Sequence, residues 1–436
     1  MQQLKKLQAG QLIGAKRVTI ACGLTAIPTE LFELVDSLEI LDLSGNRLSD
    51  LPDAFSRFTQ LHTLFLSNNN FHIVPTILAT CPKLQLIGFK ANHISELPEN
   101  SLPKNLRWLI LTDNQLTQLP ASIGQHHRLQ KLMLAGNRLS SLPMEMAQCK
   151  NLELLRISAN QLTELPEWLL QLPKLSWLAF AANPCTNNTL TDHTLAEIHW
   201  DELQISHTLG EGASGLISKA HWLDNFDVAL KEFKGEVTSD GFPADEMAAA
   251  IAAGGHDHLI EVIGELTGHP EQKQGLLLAL IADDFKNLAS PPCLDSCTRD
   301  NYTEDASFTL KQLLTIACGI ASAATHLHQQ GIAHGDLYGH NILINEQSES
   351  LLGDFGAATR YKEMQPALSH AIERLEVRAF GCLLEELLNR IEPTDSTNHQ
   401  PTIEKLQTLQ QQCLQETTQL RPSFSTIHQV IMEVLL

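Results

Sequence analysis

Aromatic residues are scarce in this chain of 436, at 5%, with three tyrosines and five tryptophans. Basic residues are outnumbered, 30 against 50 acidic ones, which leaves a formal net charge of −20. That balance argues against nucleic-acid or anionic-membrane binding, both of which need basic patches. No apolar run approaches the roughly 20 residues that span a bilayer. The opening stretch, MQQLKKLQAGQLIGAK, has no sustained apolar core, so no signal peptide is expected. The nine cysteines follow no pattern. Cys293 and Cys297 are the only close pair, and no second pair or histidine cluster completes a zinc site, so they read as loop residues. Unpatterned thiols suit a reducing, cytoplasmic setting. What the chain does have is 43% hydrophobic residues and no low-complexity block. A folded protein of two or three domains is the expectation.

The first half repeats itself. Leu38, Leu61, Leu84, Leu106, Leu129, Leu152 and Leu175 open successive lines 22 or 23 residues apart, among them LEILDLSGNRLSDLP, LRWLILTDNQLTQLP and LQKLMLAGNRLSSLP. An asparagine falls eight residues after every start, at Asn46, Asn69, Asn92, Asn114, Asn137, Asn160 and Asn183. A proline falls fourteen after the first six, at Pro52, Pro75, Pro98, Pro120, Pro143 and Pro166. Each line is too short to bury its own leucines, so neighbours must stack them into one continuous core. The asparagine amide can pair with turn backbone that a buried corner would otherwise orphan.

This pattern resembles the leucine-rich repeat family, L-x-x-L-x-L-x-x-N-x-L, over about residues 16–188, with NPCTNN at 183–188 breaking it as a terminal cap. The resemblance implies an α/β solenoid with one short strand per repeat. Alternate strand residues then point to the concave surface: Phe65, Trp108, Ile110, Met133, Leu154 and Trp177, with Lys131 and Arg156 among them. Large apolar groups facing water mark interfaces. Phe65, Trp108, Ile110, Met133 and Trp177 are therefore the candidate surface for a protein partner, with contact to the protein's own second domain as the alternative.

After a linker at 189–202, LGEGASGLISKAHWLDNFDVALKEF places Gly210, Gly212 and Gly215 between two β-rich runs, with Lys231 sixteen residues after Gly215. A lone glycine triplet is weak evidence, since tight turns also use glycine. Glu246 lies fifteen residues beyond Lys231 in the helical run ADEMAAAIAAGG, with Asp245 as competitor. GLLLALIADD reads as an apolar strand with a polar end. HGDLYGHN at 334–341 carries Asp336 and Asn341, and GDFG supplies Asp354, eighteen residues past Asp336.

Together these resemble the protein-kinase family, over about residues 203–436. The resemblance implies an α+β two-lobed kinase-like domain that uses ATP and Mg²⁺. It implies Asp336 as catalytic base, with Lys231 and Asn341 beside it, and Asn341 and Asp354 as metal ligands. The nucleotide site would comprise Leu209, Gly210, Gly212, Gly215, Ile217, Ala229, Lys231, Glu246, Leu278, Ala279, Ile281 and Leu343, with Leu278 as gatekeeper and Ala279 to Ile281 as hinge. Arg421, in LRPSF, takes the place of a structural arginine, and EVRAFGCLLEELL resembles the helix that kinases write D-V-x-S-F-G.

Three departures stand beside the matches. Gly335 replaces the arginine that pairs with a phosphorylated activation loop, so that control is expected to be absent. Tyr338 replaces a lysine near the transferred phosphate, which implies slow turnover. The stretch from Asp354 to Glu376 is short, with AIE at 371–373 in place of A-P-E, so the peptide platform is curtailed. The reading is a cytoplasmic serine/threonine-type signalling kinase with a protein substrate and a protein partner on its repeats. Two alternatives stay open. HGD also occurs in aminoglycoside and choline phosphotransferases, and a kinase fold can serve as a silent scaffold.

Overall fold

The computed structural model describes residues 1–186, 195–212, 214–223, 226–234, 237–238, 240–362 and 364–435. Of the linker expected at 189–202, positions 189–194 lie outside the described residues, as do the last two asparagines of NPCTNN. The chain forms two compact units: residues 1–172 with 183–185, and residues 173–182 with 186–436.

The first unit opens with helix α1 (Gln2–Gln8) and then runs through seven three-residue strands: β1 (Arg17–Thr19), β2 (Ile40–Asp42), β3 (Thr63–Phe65), β4 (Leu86–Gly88), β5 (Trp108–Ile110), β6 (Lys131–Met133) and β7 (Leu154–Arg156). Each pairs in parallel with the next. The register aligns Leu41, Leu64, Ile87, Leu109, Leu132 and Leu155 in one row, all fully buried. Prolines set the return path. Pro52, Pro75, Pro120 and Pro143, with φ between −63° and −72°, each sit directly before a single 3₁₀ turn. A ring-fixed φ suits that position, where no backbone N–H is needed. The asparagines close the corners. Asn137 donates to the Leu111 and Leu134 carbonyls, both at 2.9 Å, and accepts the Leu116 amide at 3.0 Å. Asn69, Asn92, Asn114, Asn160 and Asn183 repeat this bonding one turn apart.

The second unit includes strand β8 (Trp177–Ala179), although in sequence it carries the seventh repeat line. Its main sheet has the order β10-β11-β12-β14-β13-β9, built from β9 (Ala196–His199), β10 (Leu203–Glu211), β11 (Gly215–Trp222), β12 (Phe226–Phe233), β13 (Val262–Thr267) and β14 (Gly275–Ala279). Ile198, Ala220, Val228, Leu230 and Leu277 fill one side of it. Helix α2 (Pro243–Ala253) enters between β12 and β13. Strand β15 (Lys286–Asn287) and helix α3 (Leu310–Gln329) follow, then four short strands, β16 (Ile332–Ala333), β17 (Ile342–Ile344), β18 (Ser350–Leu352) and β19 (Thr359–Arg360), and last four helices, α4 (Pro366–Leu388), α5 (Pro393–Asn398), α6 (Gln400–Cys413) and α7 (Phe424–Leu435). Thr309 and Gln312 cap α3 reciprocally, pairing two of its first amides. The β16–β19 pair brackets the loop that holds Asp336. Among the described residues no helix is long and apolar enough to cross a membrane.

Candidate active site

Lys231 lies in the middle of β12, opposite Ile217 on β11 and Leu276 on β14. Both its neighbours are interior strands, so the ammonium is nearly buried and needs a partner. Helix α2 supplies it: Lys231 Nζ is hydrogen-bonded to Glu246 Oε1. Glu246 is 4% exposed, and its carboxyl is pushed up to about 7. Burial is the largest cause, opposed by the Lys231 charge and reinforced by nearby Asp354. The second carboxylate oxygen, Oε2, is buried with no hydrogen-bond partner.

Gly210 and Gly212 fall at the end of β10, where an added Cβ would meet nothing within 4 Å. Gly215 differs, because a Cβ there would stand 2.5 Å from the Glu232 carbonyl, so the strand pair closes only around glycine. Leu209 is exposed on β10, and Ala229 pairs with Leu278 across β12 and β14. Ala279 ends β14, Ile281 follows it half-buried, and Leu343 sits half-buried on β17 opposite Leu351.

Between β16 and β17 the chain turns through His334–Asn341. Asn341 Nδ2 donates both to the Asp336 carbonyl, at 2.9 Å, and to Asp336 Oδ2, at 2.8 Å. Asp354 adopts a left-handed backbone (φ 58°), and its Oδ1 accepts the Gly356 amide at 3.1 Å. Phe355 is buried with its ring 5.3 Å from that of His334. Asp354 lies near Glu246, and the Asn341 carbonyl, at 3.0 Å from the Gly353 amide, ties the Asp336 loop to the Asp354 turn. Among the described residues no group of three or more histidines, cysteines or acids could hold a metal ion. The pair Asp354 and Asn341 suits Mg²⁺, which takes few protein oxygens and retains water or phosphate ligands.

The family description "Protein tyrosine and serine/threonine kinase" matches residues 203–380, and "Leucine rich repeat" matches 21–71 and 127–184. The chain carries leucine-rich repeats and a protein-kinase domain. Similar proteins include serine/threonine-protein kinase ppk23 of Schizosaccharomyces pombe, 27% identical over 189 residues, 42% of this chain and 44% of that protein. Serine/threonine-protein kinase mos of Gallus gallus is 28% identical over 180 residues, 38% of this chain and 50% of that one. Cyclin-dependent kinase 11.2 of Caenorhabditis elegans is 28% identical over 169 residues, 38% and 24%. The chain therefore spans half or less of the length of these relatives.

Within the kinase domain, Glu376 and the His340–Asp300 pair went unnoticed as supports in the sequence, whereas Arg421 was expected. Glu376, on α4, takes the Gly335 amide at 2.6 Å and the His334 amide at 3.1 Å, and lies 2.8 Å from His328 Nε2. Its burial works against charge, but His328 and these donors hold its carboxyl below the usual range. EVRAFG was the available signal. His340 pairs with buried Asp300 at 2.7 Å; burial opposes its charge, while Asp300, with Asp336 and Asp354 nearby, raises it above the ordinary value. Arg421, 1% exposed, donates to the Gln415, Arg374 and Pro173 carbonyls. Burial pulls it down to about 9. AIE at 371–373 belongs to no separate platform, since α4 runs unbroken through it from Pro366.

The expected partner surface divides. In the first unit Phe65, Gly88, Ile110 and Met133 align across β3 to β6, and Trp108 stands opposite Lys131. Phe65, Trp108, Ile110 and Met133 are half-buried, with Lys131 Nζ 4.3 Å from the Trp108 ring. Leu154, Lys131 and Arg156 are buried rather than open. Trp177 corrects the expectation of an exposed indole. It is 2% exposed and belongs to the second unit, because its ring and N–H are both engaged by the loop after Asp336.

Proposed function

We propose that this protein is a protein kinase that transfers the γ-phosphoryl group of ATP, with Mg²⁺, to a serine or threonine hydroxyl. The observation that carries the reading is the convergence of the Lys231–Glu246 pair with Asp336, Asn341 and Asp354 in one site. When bound, the nucleotide supplies the phosphoryl group and the cation offsets its charge. Lys231, fixed by Glu246, serves to hold phosphate oxygens, and the space left open beside Gly210 and Gly212 suits a bulky phosphate chain. Asp336 receives the hydroxyl proton, oriented by the Asn341 amide. Nine unbridged cysteines support a reducing, cytoplasmic location. The half-buried row of Phe65, Trp108, Ile110 and Met133 supports a protein partner on the repeats.

A second reading, transfer to a small-molecule hydroxyl, is favoured by one observation. The segment that would seat a peptide is absorbed into α4. The test is purified full-length protein with labelled ATP and Mg²⁺, offered protein and small-molecule acceptors in parallel. Asp336→Asn should retain nucleotide binding and lose about 10²- to 10⁴-fold in transfer. Lys231→Met should weaken transfer as well. Unchanged transfer by Asp336→Asn would remove Asp336 as the base, and label on small acceptors alone would select the second reading.

A further inference from the structure

The loop around Asp336 has little regular structure of its own. Gly335 takes φ 74°, and the chain makes only one short 3₁₀ turn, at Gly339–Asn341. A base must nevertheless be held within about 0.5 Å of its working position, so the bonds to Asn341 and His334 inside the loop need a frame outside it. One side is α4, where Glu376 takes the His334 and Gly335 amides. The other side is the segment 173–182, which packs in the same compact unit. Trp177 Nε1 donates to the Leu337 carbonyl at 3.0 Å, and the indole stacks on Tyr338 with centroids 4.2 Å apart and planes 6° from parallel. The Leu178 carbonyl stands 2.9 Å from where a Cβ on Gly335 would lie. The segment therefore meets the loop on both flanks of Asp336.

The segment is itself anchored. Its Pro173 carbonyl accepts Arg421 Nη2 at 2.7 Å, and its Lys174 carbonyl accepts Arg378 Nε at 3.2 Å. The Phe180 amide donates to the Thr359 hydroxyl at 3.1 Å, on the strand that pairs with β16. Two sequence departures acquire one explanation. Any side chain at 335 would collide with the Leu178 and Ala357 carbonyls, and an aromatic at 338 supplies the flat face that the indole covers.

We propose that Trp177 is a positioning residue for Asp336, and that 173–182 is a working part of the catalytic unit, although it lies ahead of residue 203, where the kinase pattern starts. This rests on the kinase reading. Trp177 touches no reacting atom; it acts by fixing Leu337 and Tyr338, the two residues after the base.

The test compares full-length wild type, Trp177→Phe and Trp177→Leu. Phenylalanine keeps a ring to stack on Tyr338 and loses the N–H; leucine loses both. Steady-state kinetics with the best acceptor should show kcat falling in the order wild type, Phe, Leu, with Leu down about 10- to 100-fold. KM for ATP should stay constant, because Lys231 and Glu246 are untouched. Hydrogen exchange of the 334–341 amides should quicken in the same order. Unchanged kcat in both variants overturns the proposal, as does a parallel loss of kcat and ATP affinity, the mark of a merely structural role. If Trp177→Leu does not fold, Trp177→Phe decides alone. If wild type transfers no phosphate, the kinase reading fails, and exchange still decides the clamp: identical 334–341 exchange in wild type and variant refutes it.

Discussion

Replacing Glu376 by glutamine probes the other jaw of the clamp. The native carboxylate accepts two amides, Gly335 at 2.6 Å and His334 at 3.1 Å, and lies 2.8 Å from His328 Nε2. Glutamine retains one acceptor oxygen and turns the other position into an NH₂ group, which then faces a donor. A buried N–H left without an acceptor costs about 1–3 kcal/mol, and breaking a buried charged contact costs about 3–5 kcal/mol. Glu376→Gln should therefore destabilise the second unit by about 3–5 kcal/mol, a large share of a domain's usual stability. Because the chain has two units, the assay should resolve them: urea unfolding followed by hydrogen exchange of peptides from each. The sign of the pH dependence adds a second check. The carboxyl is held below its ordinary value near 4.5, so its contribution is complete above that value and is lost as pH falls through the lower folded one. The gap between wild type and Glu376→Gln should be constant at neutral pH and shrink below about pH 4.5. A variant within about 0.5 kcal/mol of wild type at pH 7 would refute the reasoning, since that is the range of an inconsequential surface change.

Two further substitutions have outcomes that the structure sets. Gly335→Ala places a Cβ 2.5 Å from the Ala357 carbonyl at a left-handed φ, so it should cost about 2–4 kcal/mol and lower kcat; unchanged exchange across 334–341 would contradict this. Asn137→Ala orphans the Leu111 and Leu134 carbonyls and the Leu116 amide, and should destabilise only the first unit, by about 2–4 kcal/mol. Peptides from 203–436 should keep their exchange rates in that variant, and a loss there would count against two independent units.

The repeats were legible because their physics is local. Leu132 is buried by Leu109 and Leu155, one repeat away on each side, and Asn137 bonds within 26 residues of itself. The roles of Lys231, Glu246, Asp336, Asn341 and Asp354 were legible through resemblance to the protein-kinase motifs, and helical register added only the choice between neighbours: Lys231 bonds to Glu246 rather than Asp245. Glu376 was not legible as a support, since nothing near it in the chain says that its three partners lie 41, 42 and 48 residues back.

Trp177 marks the boundary between the two kinds of information. Sequence alone determined that the line opening at Leu175 is a repeat with a short strand, because leucine periodicity and Asn183 act over a few residues. It assigned the indole to an open face by the same alternation. Only the tertiary structure decided that this face is closed. Trp177 finds the Leu337 carbonyl 160 residues on, and Pro173 finds Arg421 248 residues on. Pairings of that range depend on how whole elements pack, and a periodic pattern of 23 residues holds no record of them.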